Sequence, residues 1–218
     1  MAEANIFDEI YRNYLEQVAR IDLSKVADRL GVQVVAGGVL IPFYGMPHRV
    51  SAQGITDEQG CRPNHAVSVI LCKYLLMCPE TEPADADWIS YKDFKDAAPF
   101  VGGFVNNVEK PLSLMFSGRL AELQQVCPRM NGRVAEIGVA CDQVILFEAL
   151  PKIPLLMLFN DRDEDFPARC HLLFERRAQS YLDMECLAMT GWAIPELVQR
   201  FTPEGPDRHN AALQSRIA

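Results

Sequence analysis

The stretch Val32-Gln33-Val34-Val35-Ala36-Gly37-Gly38-Val39-Leu40-Ile41-Pro42-Phe43-Tyr44 carries the first decisive pattern of the chain. Two runs rich in β-branched and aromatic residues flank a diglycine, which supplies the positive φ that a tight hairpin turn needs. They predict two antiparallel strands joined through Ala36-Gly37-Gly38. Gly45-Met46-Pro47 is turn chemistry again, so a third short strand over His48–Ala52 is expected to continue the meander.

Upstream, apolar residues at 6, 7, 10, 11, 14, 15, 18 and 21 have helical spacing and predict a helix over Ile6–Ile21. Asp22-Leu23-Ser24 caps a second short helix, Lys25–Leu30, which Gly31 stops. Asn64–Met77 reads as a buried helix lying across a sheet, closed by Cys78-Pro79. A polar loop follows over 79–87, then a brief extended element at Trp88-Ile89-Ser90-Tyr91. Gly102-Gly103 reads as a turn, ahead of helices over Val105–Phe116 and Gly118–Val126. Gln143–Ala149, Ile153–Phe159 and Cys170–Phe174 form a second strand cluster. The last helix starts at Asp183 and is expected to break near Gly191, restarting with Pro195 in its first turn. Two strand clusters bracketed by helices imply an α+β fold of antiparallel strands packed with helices, not a doubly wound parallel sheet. No Pro-, Gly- or Ser-rich linker divides the chain, so residues 1–201 are expected to form a single compact domain and 202–218 a flexible C-terminal tail.

A chain of 218 residues can bury a sizeable core without disulfides or a metal. Its hydrophobic content of 49% and charged content of 23% exclude collagen-like, low-complexity and disordered classes. The net charge of −8 argues against a nucleic-acid partner, which calls for a basic face. From Glu80 to Asp96, six acids against Lys92 and Lys95 supply −4 of that charge, and Asp161-Arg162-Asp163-Glu164-Asp165 supplies −3. The rest of the chain is nearly neutral. No apolar run is long enough to span a bilayer, and Met1-Ala2-Glu3-Ala4-Asn5 lacks a secretory signal, so a cytoplasmic protein away from the membrane is expected. Its seven cysteines show no two-residue spacing of a zinc ribbon or redox motif and read as reduced core thiols.

No signature assigns an activity, so the catalytic residues and the cofactor stay unknown and enzyme status is left open. Phosphate loops, dinucleotide glycines and nucleophile elbows are all missing from the sequence. Asp161-x-Asp163-x-Asp165 has the alternation of a calcium loop, but Phe166 stands where glycine is needed and Leu172 where the bidentate Glu is needed. Solvated turn chemistry is the simpler reading of these acids. Cys61, His65 and Cys72, or Cys170 and His171, are soft-ligand fragments, but nothing in their spacing makes them converge, and no metal site is assigned. His171 or His65 could serve as the base of a Cys/His dyad only if the fold brought them into contact.

Ile41-Pro42-Phe43-Tyr44-Gly45, Trp88-Ile89-Ser90-Tyr91 and Ala98-Pro99-Phe100 resemble, in order, an uncharacterised prokaryotic family. Leu150-Pro151-Lys152-Ile153-Pro154, Asp163-Glu164-Asp165-Phe166-Pro167-Ala168, Leu172-Leu173-Phe174 and Tyr181-Leu182 continue the pattern, which covers about residues 8–200. It is a domain of unknown function found mainly in anaerobic bacteria and archaea. Some members are fused to a four-cysteine iron–sulfur domain similar to that of corrinoid iron–sulfur proteins, and this sequence shows no such cluster. The resemblance implies anaerobic metabolism near tetrapyrrole or one-carbon chemistry, and it brings no catalytic residues. The expectation is therefore a non-catalytic cytosolic domain that binds a small molecule, with a tetrapyrrole or corrinoid favoured, or a protein partner. Its pocket is placed near Trp88, Tyr91, Phe100, Asp163, Glu164, Asp165 and Phe166. One alternative is a divalent-metal-dependent hydrolase or transferase using the carboxylates of Asp161–Asp165. Another is an interaction module dimerising through an exposed sheet edge, and the oligomeric state is not assigned.

Overall fold

The computed structural model describes residues 2–202. Helix α1 (Ala2–Val18) lies on the molecule by its C-terminal half: Val18 is fully buried, whereas Phe7 is 46% exposed. Helix α2 (Leu23–Leu30) begins where Asp22 Oδ1 accepts the Ser24 and Lys25 N–H groups. It ends at Gly31, whose φ of +67° is the left-handed geometry that closes a helix with little steric cost.

The quoted stretch forms β1 (Gln33–Val35) and β2 (Gly38–Phe43), paired antiparallel with Val35 opposite Gly38. β2 turns through Tyr44 and Gly45, both with positive φ (49° and 77°), into β3 (Met46–Ser51). Positive φ at both central residues is the two-residue turn whose twist matches the strands it joins. A fourth strand, β4 (Gly54–Thr56), extends the meander; three residues are too short to leave a periodic trace in the sequence.

Helix α3 (His65–Leu76) starts at Asn64, whose side chain accepts the Val67 N–H. Its main neighbours are α1, α2 and α7, so the expectation that it lies across a sheet is corrected. The dense apolar face serves helix–helix packing, and Tyr74 at its end accepts the Lys152 N–H from a strand turn.

After β5 (Trp88–Ser90), residues 98–116 run as one helical rod: α4 (Ala98–Phe104), a π-helical turn Val105–Glu109, and α5 (Lys110–Phe116). Gly102-Gly103 is thus no turn. Phe104, Val108, Leu112 and Phe116, four residues apart and all buried, hold the rod together from its core face. Helix α6 (Leu120–Val126) and a short strand β6 (Gly132–Val134) follow. Strands β7 (Gln143–Leu150), β8 (Ile153–Asn160) and β9 (Arg169–Glu175) complete a five-stranded antiparallel sheet in the order β5-β9-β8-β7-β6.

Helix α7 (Met184–Phe201) is continuous, and the expected break near Gly191 is absent. Pro195 sits inside the helix, not in a first turn. Gly191 is small for a tertiary reason: a Cβ there would meet the Phe104 ring at 2.5 Å.

The protein is α+β, with two antiparallel sheets and their helices around one core, as a single compact domain. A bulge between Glu148 and Leu150 interrupts the β7–β8 register and frees the Ala149 carbonyl, which accepts the Tyr44 N–H of the other sheet at 3.0 Å. The Tyr44 hydroxyl donates to Thr190 O in α7 at 2.8 Å. One residue thereby ties both sheets to the last helix. The tail expected over 202–218 lies, after Thr202, outside the described residues. No described helix is long and apolar enough to cross a membrane.

Candidate functional site

The seven residues singled out from the sequence do not share one pocket. Trp88 is half-buried on β5, opposite Glu175 at the far end of β9 from the acidic turn. Six residues of strand separate Glu175 from Arg169, about 20 Å at the usual rise. Tyr91 is buried, stacked on Phe104 with centroids 4.4 Å apart, and its hydroxyl donates to Met184 O. Phe100 packs from α4 against the core. Asp163, Glu164, Asp165 and Phe166 are exposed between β8 and β9. There Asp163 Oδ1 accepts the N–H groups of Asp165 and Phe166, an Asx turn that explains the acid without a ligand. Asp161 Oδ1 accepts from Gly118 N and Arg162 N.

The soft-ligand fragments stay apart as well. Among the described residues no three His, Cys, Asp or Glu side chains are grouped to hold a metal ion. Cys170 is buried while its neighbour His171 is exposed, as alternation along a strand dictates. All seven cysteines are free, and burial pushes the Cys72 and Cys127 thiols up to about 12, which keeps them protonated and unreactive.

Among the clefts of the described residues, two of nearly equal size hold a histidine in their lining. The first, about 500 Å³, is walled by Ser90, Tyr91, Phe104, Val105, Leu158 and Leu173, with Lys92, Glu109 and His171 as charged or ionisable groups. Its floor is set by the π turn, in which Lys110 N–H donates five residues back to Val105 O. The extra residue brings Glu109 to the part of β9 that β5 leaves unpaired. Glu109 Oε1 accepts the Leu172 N–H at 3.1 Å, standing in for a missing strand, and lies 3.7 Å from His171 Nδ1. Edge capping accounts for this carboxylate.

The second cleft, about 480 Å³, opens where β3, the 57–64 loop, the start of α3 and the end of α7 meet. At its head is His48, only 6% exposed. Its Nδ1–H donates to Met46 O at 2.9 Å, which leaves the lone pair on Nε2. No described residue bonds Nε2, and it is not enclosed: the sealed polar atoms without a partner are His65 Nδ1 and Trp192 Nε1. Burial holds the imidazole below its ordinary pKa, outweighing the opposing pull of the Met46 bond, Asp57 and Glu58. Phe43, Met46, Pro47, Val67 and Leu197 give the cleft apolar walls, and Asp57, Glu58, Glu196 and Arg200 its charges.

His48 belongs to no motif of the sequence. The available signal was alternation: Arg49 faces out, so His48 and Val50 both face in, and a histidine at an inward strand position calls for a partner.

No curated protein and no solved structure matches the chain. A family model described as a domain of unknown function, DUF3786, matches residues 22–196, which takes in both clefts except for Leu197 and Arg200 at the end of α7. With most of its length inside that match, the chain belongs to the DUF3786 family.

Proposed function

We propose that this protein binds a small organic molecule in the His48 cleft without transforming it. The observation that supports this reading is the buried imidazole, fixed at Nδ1 and, among the described residues, unpartnered at Nε2. Nε2 is open to the cleft as an acceptor with a lone pair that a ligand N–H or O–H can take up. A cavity of about 480 Å³ also falls within the range of roughly 300–1,000 Å³ that ligand sites occupy. Among the described residues the lining offers no Ser, Thr, Cys or Lys beside the imidazole, which favours binding over nucleophilic chemistry. A reducing, cytoplasmic setting belongs to the reading, since every cysteine is unpaired.

The test is native mass spectrometry of the full chain purified anaerobically from its own host, beside His48→Gln. A bound mass in the wild type that is lost in the variant is the expected result. A wild-type chain of bare mass overturns the reading. A tetrapyrrole or corrinoid would have to reach Nε2 through its metal, and visible absorbance of the same sample reads that out directly.

A further inference from the structure

We infer that the ligand of the His48 cleft is an organic cation, an ammonium or guanidinium group carried on an apolar body. The inference rests on the cleft being a ligand site and goes on to name the chemistry of what enters it. Three acids, Asp57, Glu58 and Glu196, face one base, Arg200. None of the four is in an ion pair with a described residue. With a neutral imidazole the formal balance of three acids against one arginine is −2. Asp57 Oδ1 is spent on the loop, accepting from Gln59 N and Cys61 N, and its second oxygen is left over.

The helix ends do not reverse this sign. The N-terminal end of α3 brings about half a positive charge to the rim, and the C-terminal end of α7 brings about half a negative one. The Asn64 side chain already takes one of the α3 N–H groups.

His48 makes the acids more than a patch. Its Nε2 accepts and cannot donate while Nδ1 holds the proton, so it selects a ligand N–H or O–H. An ammonium meets that lone pair and the carboxylates with one group. A ligand carboxylate would meet three like charges against the single Arg200, and an acceptor nitrogen. Phe43, Met46, Val67 and Leu197 then take the apolar remainder.

The probes are three molecules of one shape: phenethylamine, phenethyl alcohol and phenylacetate. Calorimetry gives affinity, and the His48 ring resonances report where the probe sits. Phenethylamine is expected to bind about tenfold or more tighter than the alcohol, as a charged hydrogen bond should, and to shift His48. Glu196→Lys, an exposed change on α7 that leaves the core untouched, is expected to remove that preference. Tighter binding of phenylacetate, or equal binding of all three, overturns the cation class while the cleft stands as a ligand site. A His48 signal that answers none of them at millimolar concentration overturns the class. If the wild-type chain also carries no mass from its host, the ligand-site reading falls with it.

Discussion

The clefts at Glu109 and at His48 have nearly the same volume but opposite accounts of their polar groups. At Glu109 the carboxylate is occupied by main chain: it completes the open edge of β9, and the π turn exists to bring it there. At His48 the imidazole is anchored by one nitrogen only, and the other has nothing from the described residues. Cavity size therefore says little about function. The question that separates the two is which buried polar atoms the fold already satisfies.

The broadest expected effect, on stability and on ligand together, joins the two clefts. Phe104 walls the first, α7 walls the second, and they touch at Gly191. Gly191→Ala should help an isolated helix by about 1 kcal/mol, yet its methyl would sit inside the Phe104 ring. Overpacking of this kind costs roughly 1–3 kcal/mol, so a lower melting temperature is expected, together with loss of ligand. A more stable variant would show that the two clefts are not coupled there.

Glu109→Ala comes next. It strips the Leu172 N–H of a charged acceptor and should cost about 1.5–3 kcal/mol in denaturant unfolding, while leaving the mass bound at His48 unchanged. A variant of wild-type stability that loses the bound mass would reverse the roles assigned to the two clefts.

The smallest effect is a slope with pH. The folded pKa of His48 is lowered by burial, so between that value and the unfolded value near 6.5 the unfolded chain binds more protons. The contribution is fully present above about pH 6.5 and is lost as pH falls below it. His65 on α3 is lowered too and adds slope in the same window, so the difference between wild type and His48→Gln isolates what His48 contributes. Protonation also removes the Nε2 lone pair, and amine binding should weaken over the same range. Identical slopes in the two proteins would place His48 outside the titration.

What the sequence showed and hid follows from the range of the forces involved. Local chemistry was legible: the diglycine hairpin, Asp22 and Asn64 as caps, Gly31 as a stop, and the apolar runs of β7 and β8. Gly102-Gly103 and Gly191 misled for one reason. Glycine lowers helix propensity, so locally it reads as a break, but tertiary packing overrides about 1 kcal/mol per residue. What Gly191 answers to is Phe104, far away in sequence. The proposed site was hidden in the same way. The predicted pocket drew on aromatics and acids that the fold uses for core stacking and an Asx turn. The cleft at His48 depends on a loop and a helix that no local pattern places beside β3.

Tyr44 has a consequence in time. Its hydroxyl reaches Thr190, 146 residues onward, and its N–H reaches a bulge in β7. A nascent chain emits the first sheet long before either partner is made, so the contacts of Tyr44 close only when the last helix arrives. The His48 cleft is built from the same early strand and late helix. It comes into being only when synthesis has passed α7, and a chain that stops short of that helix has no such cleft to offer.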